Sequence, residues 1–426
     1  MQVGILVNEI ERESIENLFS ESILYKSLRE RGADVSVVDI TTDSVAATER
    51  AIISSGVHCF INRIKNRDQR LRFAEFFYRN KIPLINSLPL EHVSVDKTKT
   101  KEAFEEYGGI NTANSCLIPL YPILNKNVGL KVNDHIDHML NIAEREVGYP
   151  VVIKPSRGSR GGGFVNKVIH SPEEMKSIIQ EFSRAQNILR VPKSMCESLS
   201  NPIGVFVEEY LPHALDLRCI VSQNSFSQHH ACLARIGTTD DSIQKNTSLG
   251  NMAVGIEANE ELVKISKESL SAILDYAKKL FVDCPKYGIT GVDIIPCCED
   301  RDARQLVYKS ALELADQWQE VEKAKRNFKT GLSKLWNIKY CGERDHERLL
   351  YDPDFEALQK KIYEAFSRFK SHPSYMKLQK AVGDYIEKST LFVSENNTTV
   401  DYEFQTLNLC GPIQNDIAKL ALTIGS

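Results

Sequence analysis

The chain has 426 residues, of which 42% are hydrophobic and 26% charged, a globular composition that excludes disordered, collagen-like and fibrous classes. At roughly 150 residues per domain, this length predicts about three compact units. The 53 basic and 57 acidic side chains nearly balance, at a formal net charge of -4. We therefore expect no binding of nucleic acid or of an anionic membrane through bulk charge.

The short apolar runs, the first residues and the cysteine pattern predict a soluble, cytoplasmic protein. No uncharged apolar run approaches the roughly 18 residues that cross a bilayer, and the first residues lack the basic region and long apolar segment of a signal peptide. The 10 cysteines form no C-x-x-C pair, and no H-E-x-x-H motif is present. Reduced, mostly buried thiols are expected.

Residues 1–92 predict an N-terminal α/β domain. The expected elements are strands at 2–8, 33–40, 57–64 and 82–86 and helices at 14–31 and 69–80. Strands that alternate with helices are typical of an open parallel sheet.

Residues 93–205 contain the densest glycine cluster of the chain, Ser156 to Phe164. It follows an apolar strand that ends at Lys154 and precedes a second strand at 165–169. This strand, turn and strand predict a hairpin flap, unlike the strand, turn and helix of a Walker loop. Backbone N–H groups of glycines and a lysine suit a phosphate, although a flexible surface hairpin has the same pattern.

Residues 301–395 have a different texture, with apolar residues spaced three and four apart and with Pro353 and Pro373 at the breaks. This spacing predicts a helical insertion into a subdomain formed by 206–300 and 396–426. Substrate recognition, assembly into a homo-oligomer and bracing of the domain all stay open as its role.

Five motifs whose residues are suited to binding or catalysis follow one another along the chain. They are Asp96-Lys97 at a helix start, Lys154 with the glycine cluster, Val205 to Leu211, Asp216-Leu-Arg218, and Gly291 to Ile295. In this order and spacing they resemble the ATP-grasp superfamily, in the carboxylate-amine ligase branch that includes the ribosomal-protein glutamate ligase. The resemblance covers about 1 to 300 and 401 to 413. It implies an α/β ATP-grasp fold with an N-terminal open parallel-sheet domain and a helical insertion.

The resemblance implies ATP as the nucleotide, and it assigns residues to each part of it. Lys97 and Lys154 hold the phosphates and Asp216 accepts from the ribose hydroxyls. The glycine cluster closes as a lid through Ser159, Gly161, Gly162 and Gly163. The hinge that meets adenine, partly through backbone groups, consists of Glu208, Glu209, Tyr210 and Leu211.

The catalytic and metal-binding residues are assigned in the same way. Arg218 and Arg235 match positions near the transferred phosphate and the substrate. The family pattern for Mg2+ or Mn2+ is an Asp followed by Glu-x-Asn on a partner strand, which Asp293 and the pair Glu403 and Gln405 are expected to supply. Gln405 departs from the family's asparagine, and its extra methylene shifts a ligand that near-octahedral Mg2+ positions strictly. Asn408 is the alternative ligand.

The resemblance therefore implies an ATP-dependent carboxylate-amine ligase that forms an amide or peptide bond through an acyl phosphate and releases ADP and phosphate. Its substrates would be amino acids or peptides, and the sequence leaves the acid and the amine unidentified. Two other functions remain open at this stage. They are a phosphotransferase acting on a small polyol phosphate and an ATP-binding module without catalysis.

Overall fold

A computed structural model describes residues 1–8, 15–40, 45–64, 67–119, 132–155, 168–187, 204–222, 231–237, 245, 250–283, 288–339, 346–398 and 404–425. In these segments, no helix is long and apolar enough to cross a membrane. Three sheets and several layers of helices confirm the predicted α/β class.

The N-terminal region is the predicted open parallel sheet. Its strands are β1 (Gln2–Asn8), β2 (Asp34–Ile40), β3 (Cys59–Asn62) and β4 (Leu84–Ile85), in the order β2-β1-β3-β4. The helices that connect them are α1 (Ile15–Arg29), α2 (Val45–Ser54) and α3 (Arg67–Arg79). The strands β1 and β3 are apolar runs that pair in parallel and are buried, as a sheet covered by helices requires.

A small antiparallel sheet follows the helices α4 (Leu88–Ser94) and α5 (Lys97–Tyr107). Its strands are β5 (Ser115–Pro119), β6 (Val151–Pro155) and β7 (Gly204–Glu209), with β7 in the middle. The helices of this region are α6 (Val132–Glu146) and α7 (Pro172–Asn187). The predicted strand at 165–169 is seen only as a bridge between Ile169 and Val151, because 165–167 lie outside the described residues.

The largest sheet has five antiparallel strands in the order β10-β9-β8-β11-β12. They are β8 (Leu215–Ser222), β9 (Ala231–Ile236), β10 (Met252–Glu257), β11 (Ile289–Cys297) and β12 (Thr390–Asn397). Helix α8 (Glu260–Leu280) packs on this sheet. It begins at Asn259, whose side chain accepts from the Leu262 N–H at 2.9 Å, and ends with Lys278 and Lys279, which suit the negative end of the helix dipole.

The predicted helical insertion joins β11 to β12, which are neighbours in the sheet. Its helices are α9 (Arg301–Leu312), α10 (Ala315–Lys339), α11 (His346–Leu350), α12 (Pro353–Ser371) and α13 (Pro373–Glu387). Both prolines stand at the first position of a helix, where a missing N–H costs nothing. The predicted end of the insertion at 395 is wrong, because the residues from Thr390 onward form β12. Thr, Phe and Val in this segment favour a strand.

The C-terminal residues form two short helices, α14 (Phe404–Leu409) and α15 (Ile413–Gly425). The prediction that Gln405 lies on the strand beside β11 is therefore wrong, since Gln405 belongs to α14 and β12 takes that place. Helix α15 packs against α1 and the N-terminal sheet, so residues from both ends of the sequence share one hydrophobic core.

Candidate active site

The strand register places a set of charged side chains around Asp293. On β11, Asp293 stands opposite Arg218 of β8 on one side and opposite Glu395 of β12 on the other. Neighbouring β8 and β9 pair Asp216 with Arg235. Residues i and i+2 of a strand share a face, so Asp216, Arg218 and Asp293 lie on one surface of the sheet.

Asp293 is buried between two arginines. Arg218 donates from Nε to Oδ1 at 2.8 Å and from Nη2 to Oδ2 at 2.7 Å, which is a bidentate pair. Arg235 Nη2 lies 3.2 Å from Oδ1. Burial alone would raise the pKa of Asp293, but the two guanidinium groups outweigh it and hold the pKa far below its usual range. The carboxylate is therefore ionised at neutral pH.

Asn397 connects Asp293 to Glu395. Its Nδ2 donates to Oδ2 of Asp293 at 3.1 Å and to Oε1 of Glu395 at 3.2 Å. Two carboxylates and an amide whose oxygen can replace its nitrogen by rotation are a donor set that suits Mg2+. Within the described part of the chain, no three His, Cys, Asp or Glu side chains are grouped for a metal. The candidate metal site is this mixed set of two carboxylates and one amide.

The two metal ligands expected near the C-terminus are placed differently. Glu403 lies outside the described residues. Gln405 is buried on α14, and Asn408 of the same helix donates to the carbonyl of Phe404 at 2.7 Å. The Glu-x-Asn pattern also occurs in the sequence as Glu395-Asn396-Asn397, where the predicted insertion of 301–395 separates Glu395 from Asn397.

Lys97 places a cation beside Glu395. It is the first residue of α5, and its side chain is only 13% exposed with Nζ 3.7 Å from Oε2 of Glu395. A cation at a helix N-terminus faces the positive end of the helix dipole and is unfavourable there. Asp96 caps the helix by accepting from the Thr98 N–H at 3.1 Å, which supplies part of the compensation.

Lys154 bridges the small sheet and the large sheet. On β6, its ammonium pairs with Glu208 of β7 and donates to the hydroxyl of Ser394 on β12 at 3.3 Å. Burial alone would lower the pKa of Lys154, but the Glu208 carboxylate outweighs it, so the pKa lies above its usual value. The lysine is therefore a permanent cation beside Glu395 at physiological pH.

Asp216 is held by a histidine that the sequence reasoning missed. His213 Nε2 lies 3.1 Å from Oδ1 of Asp216, and Arg235 Nη2 lies 3.7 Å from Oδ2. Burial alone would raise the pKa of Asp216, but the hydrogen bond from His213 and the nearby cations outweigh it and lower the pKa. Only the spacing of His213 three residues before Asp216 could have indicated this contact.

Lys245 was also missed. It is fully buried and lies against Gly237, where an added Cβ would come within 2.7 Å of its Nζ. Its charge contributes to the lowered pKa of Asp216. A lone lysine among polar residues carries no signal in the sequence that would distinguish it from a surface residue.

The predicted hinge begins with the last two residues of β7, Glu208 and Glu209, and continues past the strand to Leu211. The Glu209 N–H donates to the Asn114 carbonyl at 2.8 Å, and the Glu209 carboxylate accepts from the Asn114 N–H at 3.2 Å. The Tyr210 N–H donates to the carbonyl of Pro150, and the Leu211 side chain is buried. The predicted lid residues Ser159, Gly161, Gly162 and Gly163 lie outside the described residues.

A cavity of about 1230 Å3 opens elsewhere, between α1 and the helices α11 and α12. Tyr25, Tyr351 and Tyr363 are among its lining residues, and none of the described site residues lines it. The cavity is therefore separate from the candidate active site.

No family model and no curated protein matches the chain. Solved ligase structures do resemble its backbone. D-alanine–D-alanine ligase from Bacillus anthracis, complexed with ATP, has 12% identity over 69% of this chain and 81% of its own, with a TM-score of 0.44. D-cycloserine synthetase DcsG has 16% identity over 69% and 87%, with a TM-score of 0.46.

A RimK domain ATP-grasp protein from Sphaerobacter thermophilus has 13% identity over 70% of this chain and 86% of its own, with a TM-score of 0.40. At such identities and TM-scores, ligands and activity must be argued from the residues.

Proposed function

We propose that the protein is an ATP-dependent carboxylate-amine ligase that forms an amide or peptide bond through an acyl phosphate. The observation that carries the proposal is the convergence of a carboxylate and amide donor set with four cations. The donor set is Asp293, Glu395 and Asn397, and the cations are Lys97, Lys154, Arg218 and Arg235. A metal triphosphate combines the two kinds of charge that this surface is built to hold.

The metal would be Mg2+, held by Asp293, Glu395 and Asn397. When bound, it would offset negative charge on phosphate oxygens and orient them. Glu395 replaces Glu403 in this assignment, and Asn397 replaces Gln405. The asparagine restores the Glu-x-Asn pattern that the motif resemblance implies.

The protein's own cations would stabilise the negative charge on the transferred phosphate. A carboxylate that attacks a phosphate joins two anions, and fixed positive groups aimed at the forming bond lower that barrier. Arg218 and Arg235 are tied to Asp293 and point across the sheet surface, which suits this role. Lys97 and Lys154 would hold the other phosphates, and Asp216 the ribose.

The reaction would proceed in two steps. A substrate carboxylate oxygen attacks the terminal phosphorus of ATP and ADP leaves, which converts a poor leaving group, oxide, into a good one, phosphate. An amine then attacks the acyl carbon and phosphate departs. Exclusion of water from the acyl phosphate is expected from the glycine cluster at 156–164.

Phosphate release from ATP, screened over pairs of amino acids and short peptides and followed by mass determination of the product, tests the proposal. We expect release that requires both an acid and an amine, with a product lighter by one water than their sum. AMP and pyrophosphate as products would contradict it. A phosphorylated alcohol without free phosphate would indicate a kinase, and ATP binding without turnover a non-catalytic module.

Three further assignments stay proposals. The domains would be 1–92, 93–205 and a C-terminal subdomain from 206, with the insertion now ending before Thr390. Cytoplasmic location and assembly through the insertion are separate expectations, to be checked by fractionation and by light scattering.

A further inference from the structure

The insertion contacts the segment between the hinge and Asp216 through a buried tyrosine. Tyr385 of α13 is 1% exposed, and its Oη accepts from the Ala214 N–H at 3.0 Å and donates to the Pro296 carbonyl at 2.8 Å. Ala214 belongs to the irregular stretch between β7 and β8. A buried backbone N–H in such a stretch has no ladder partner, so the tyrosine supplies the bond that fixes it.

A second tyrosine of the insertion contacts the same stretch one residue earlier. Tyr308 of α9 donates to the carbonyl of His213 at 3.4 Å and accepts from Lys245 Nζ at 3.4 Å. The backbone adds another contact, since the Cys298 N–H donates to the Pro212 carbonyl at 3.0 Å. Each of the three residues 212–214 therefore has a hydrogen bond to the part of the chain that follows β11.

His213 connects this stretch to the hinge and to Asp216. Its Nδ1 lies 2.6 Å from the Leu211 carbonyl and its Nε2 3.1 Å from Oδ1 of Asp216. A carbonyl oxygen and an ionised carboxylate both accept, so the two contacts are satisfied together when each ring nitrogen carries a proton. The imidazole thus fixes the distance between Leu211 and Asp216.

We propose that Tyr385 and His213 are positioning residues of the nucleotide site, through which the insertion sets ATP affinity and the recognition of the ribose. The inference rests on the proposed function, since it takes Leu211 to face the base and Asp216 the ribose hydroxyls. It gives the insertion a role beyond bracing. Helix α13 fixes the backbone at Ala214, and the adjacent His213 thereby orients Asp216.

The experiment compares the affinities of ATP and 2′,3′-dideoxyATP, measured by calorimetry in the full chain. Wild type is expected to prefer ATP. Tyr385→Phe leaves the Ala214 N–H and the Pro296 carbonyl without their partner, so ATP should bind about tenfold more weakly and the preference for ATP should fall at least about threefold. Tyr363→Phe, on exposed α12 surface of the same insertion, is the matched control and should leave both values unchanged.

Two substitutions of His213 separate its contacts. His213→Gln keeps a donor near Nε2 for Asp216, whereas His213→Asn keeps one near Nδ1 for the Leu211 carbonyl. We expect the glutamine variant to retain more of the ribose preference than the asparagine variant. A loss of stability alone would lower the melting temperature of both without this order.

The outcomes distinguish a failure of the proposed function from a failure of the positioning role alone. A wild-type protein that binds no nucleotide overturns the proposed function and this inference with it. A wild type that binds ATP, with folded Tyr385 and His213 variants that keep its affinity and its ribose preference, overturns the inference alone. If Tyr385→Phe does not fold, the order of the two His213 variants decides.

Discussion

At the scale of single residues, the cross-strand neighbours of Asp293 determine which side chains can share a metal. Glu395 stands opposite Asp293 and Asn397 bonds to both carboxylates, whereas Gln405 is buried on α14, with an Oε1 that makes no hydrogen bond to any described residue. These placements separate the proposed ligands from the glutamine that the sequence motif suggested.

Glu395→Gln should lower the turnover number about a hundredfold or more and raise the Mg2+ concentration needed for half-maximal rate, because a charged ligand becomes neutral. Gln405→Met, similar in volume, removes an unpaired buried polar atom and should leave both values within about twofold. Phosphate release titrated with Mg2+ measures both. A loss of activity in the Gln405 variant with a fully active Glu395 variant would return the metal site to the C-terminal segment.

Two partly buried thiols should react slowly. Burial raises the pKa of Cys116 to about 11 and that of Cys297 to about 11. The thiolate is the reactive form, so at pH 8 each should alkylate roughly 200-fold more slowly than an unfolded cysteine with a pKa of about 8.5. Iodoacetamide labelling with peptide mass mapping, in buffer and in urea, checks this. Equal rates in both solvents would contradict it.

At the scale of elements, the N-terminal region is tied to the strand that carries the proposed ligands. The carboxylate of Glu91 on α4 is buried, and its Oε2 accepts from Arg70 Nε at 3.0 Å and from the hydroxyl of Thr398 at 2.7 Å. Thr398 directly follows Asn397. Helices α3 and α4 therefore hold the end of β12 in place.

Glu91→Gln should lower the free energy of unfolding by about 3 kcal/mol, because the Arg70 guanidinium then lacks its buried counter-charge. Glu75→Gln breaks an exposed ion pair with Arg79 and should cost less than about 1 kcal/mol. Urea unfolding at pH 7 compares the two. Similar losses in both variants would mean that the buried pair contributes little.

At the scale of the whole molecule, an aromatic cluster joins the first helix, the insertion and the C-terminus. Phe19 of α1 packs within 5.3 Å of Phe328 of α10 and 4.4 Å of Phe404 of α14, measured between ring centroids, and Phe355 of α12 completes the group. The insertion is thus part of the main core. Its removal would expose these rings, so a deletion of 301–389 tests folding before it tests substrate recognition.

Phe328→Ala should destabilise the protein by about 3 to 5 kcal/mol, because it leaves a cavity at the junction of three segments. Ile338→Ala, at a position of the same helix that is 77% exposed, should change stability by less than about 0.5 kcal/mol. Thermal and urea unfolding followed by two probes measure both. Separate melting of the insertion would contradict the shared core.

Local patterns in the chain were sufficient for much of the fold. The apolar run after Gln2, the helical spacing from Val307 and the first-turn prolines Pro353 and Pro373 predict their elements, because alternation and helical period are properties of neighbouring residues. The expected elements did not include helices α2, α4, α7, α8, α14 and α15.

The sequence by itself determined the α/β class, the order of the motifs and the cations Lys97, Lys154, Arg218 and Arg235. Only the tertiary structure decided which residues complete the set around Asp293. Glu395 and Asn397 lie about a hundred residues further along the chain, and strand pairing across the insertion, a long-range contact that local spacing does not encode, brings them to Asp293. The same long-range packing places Tyr385 of the insertion against the Ala214 N–H, one residue after His213.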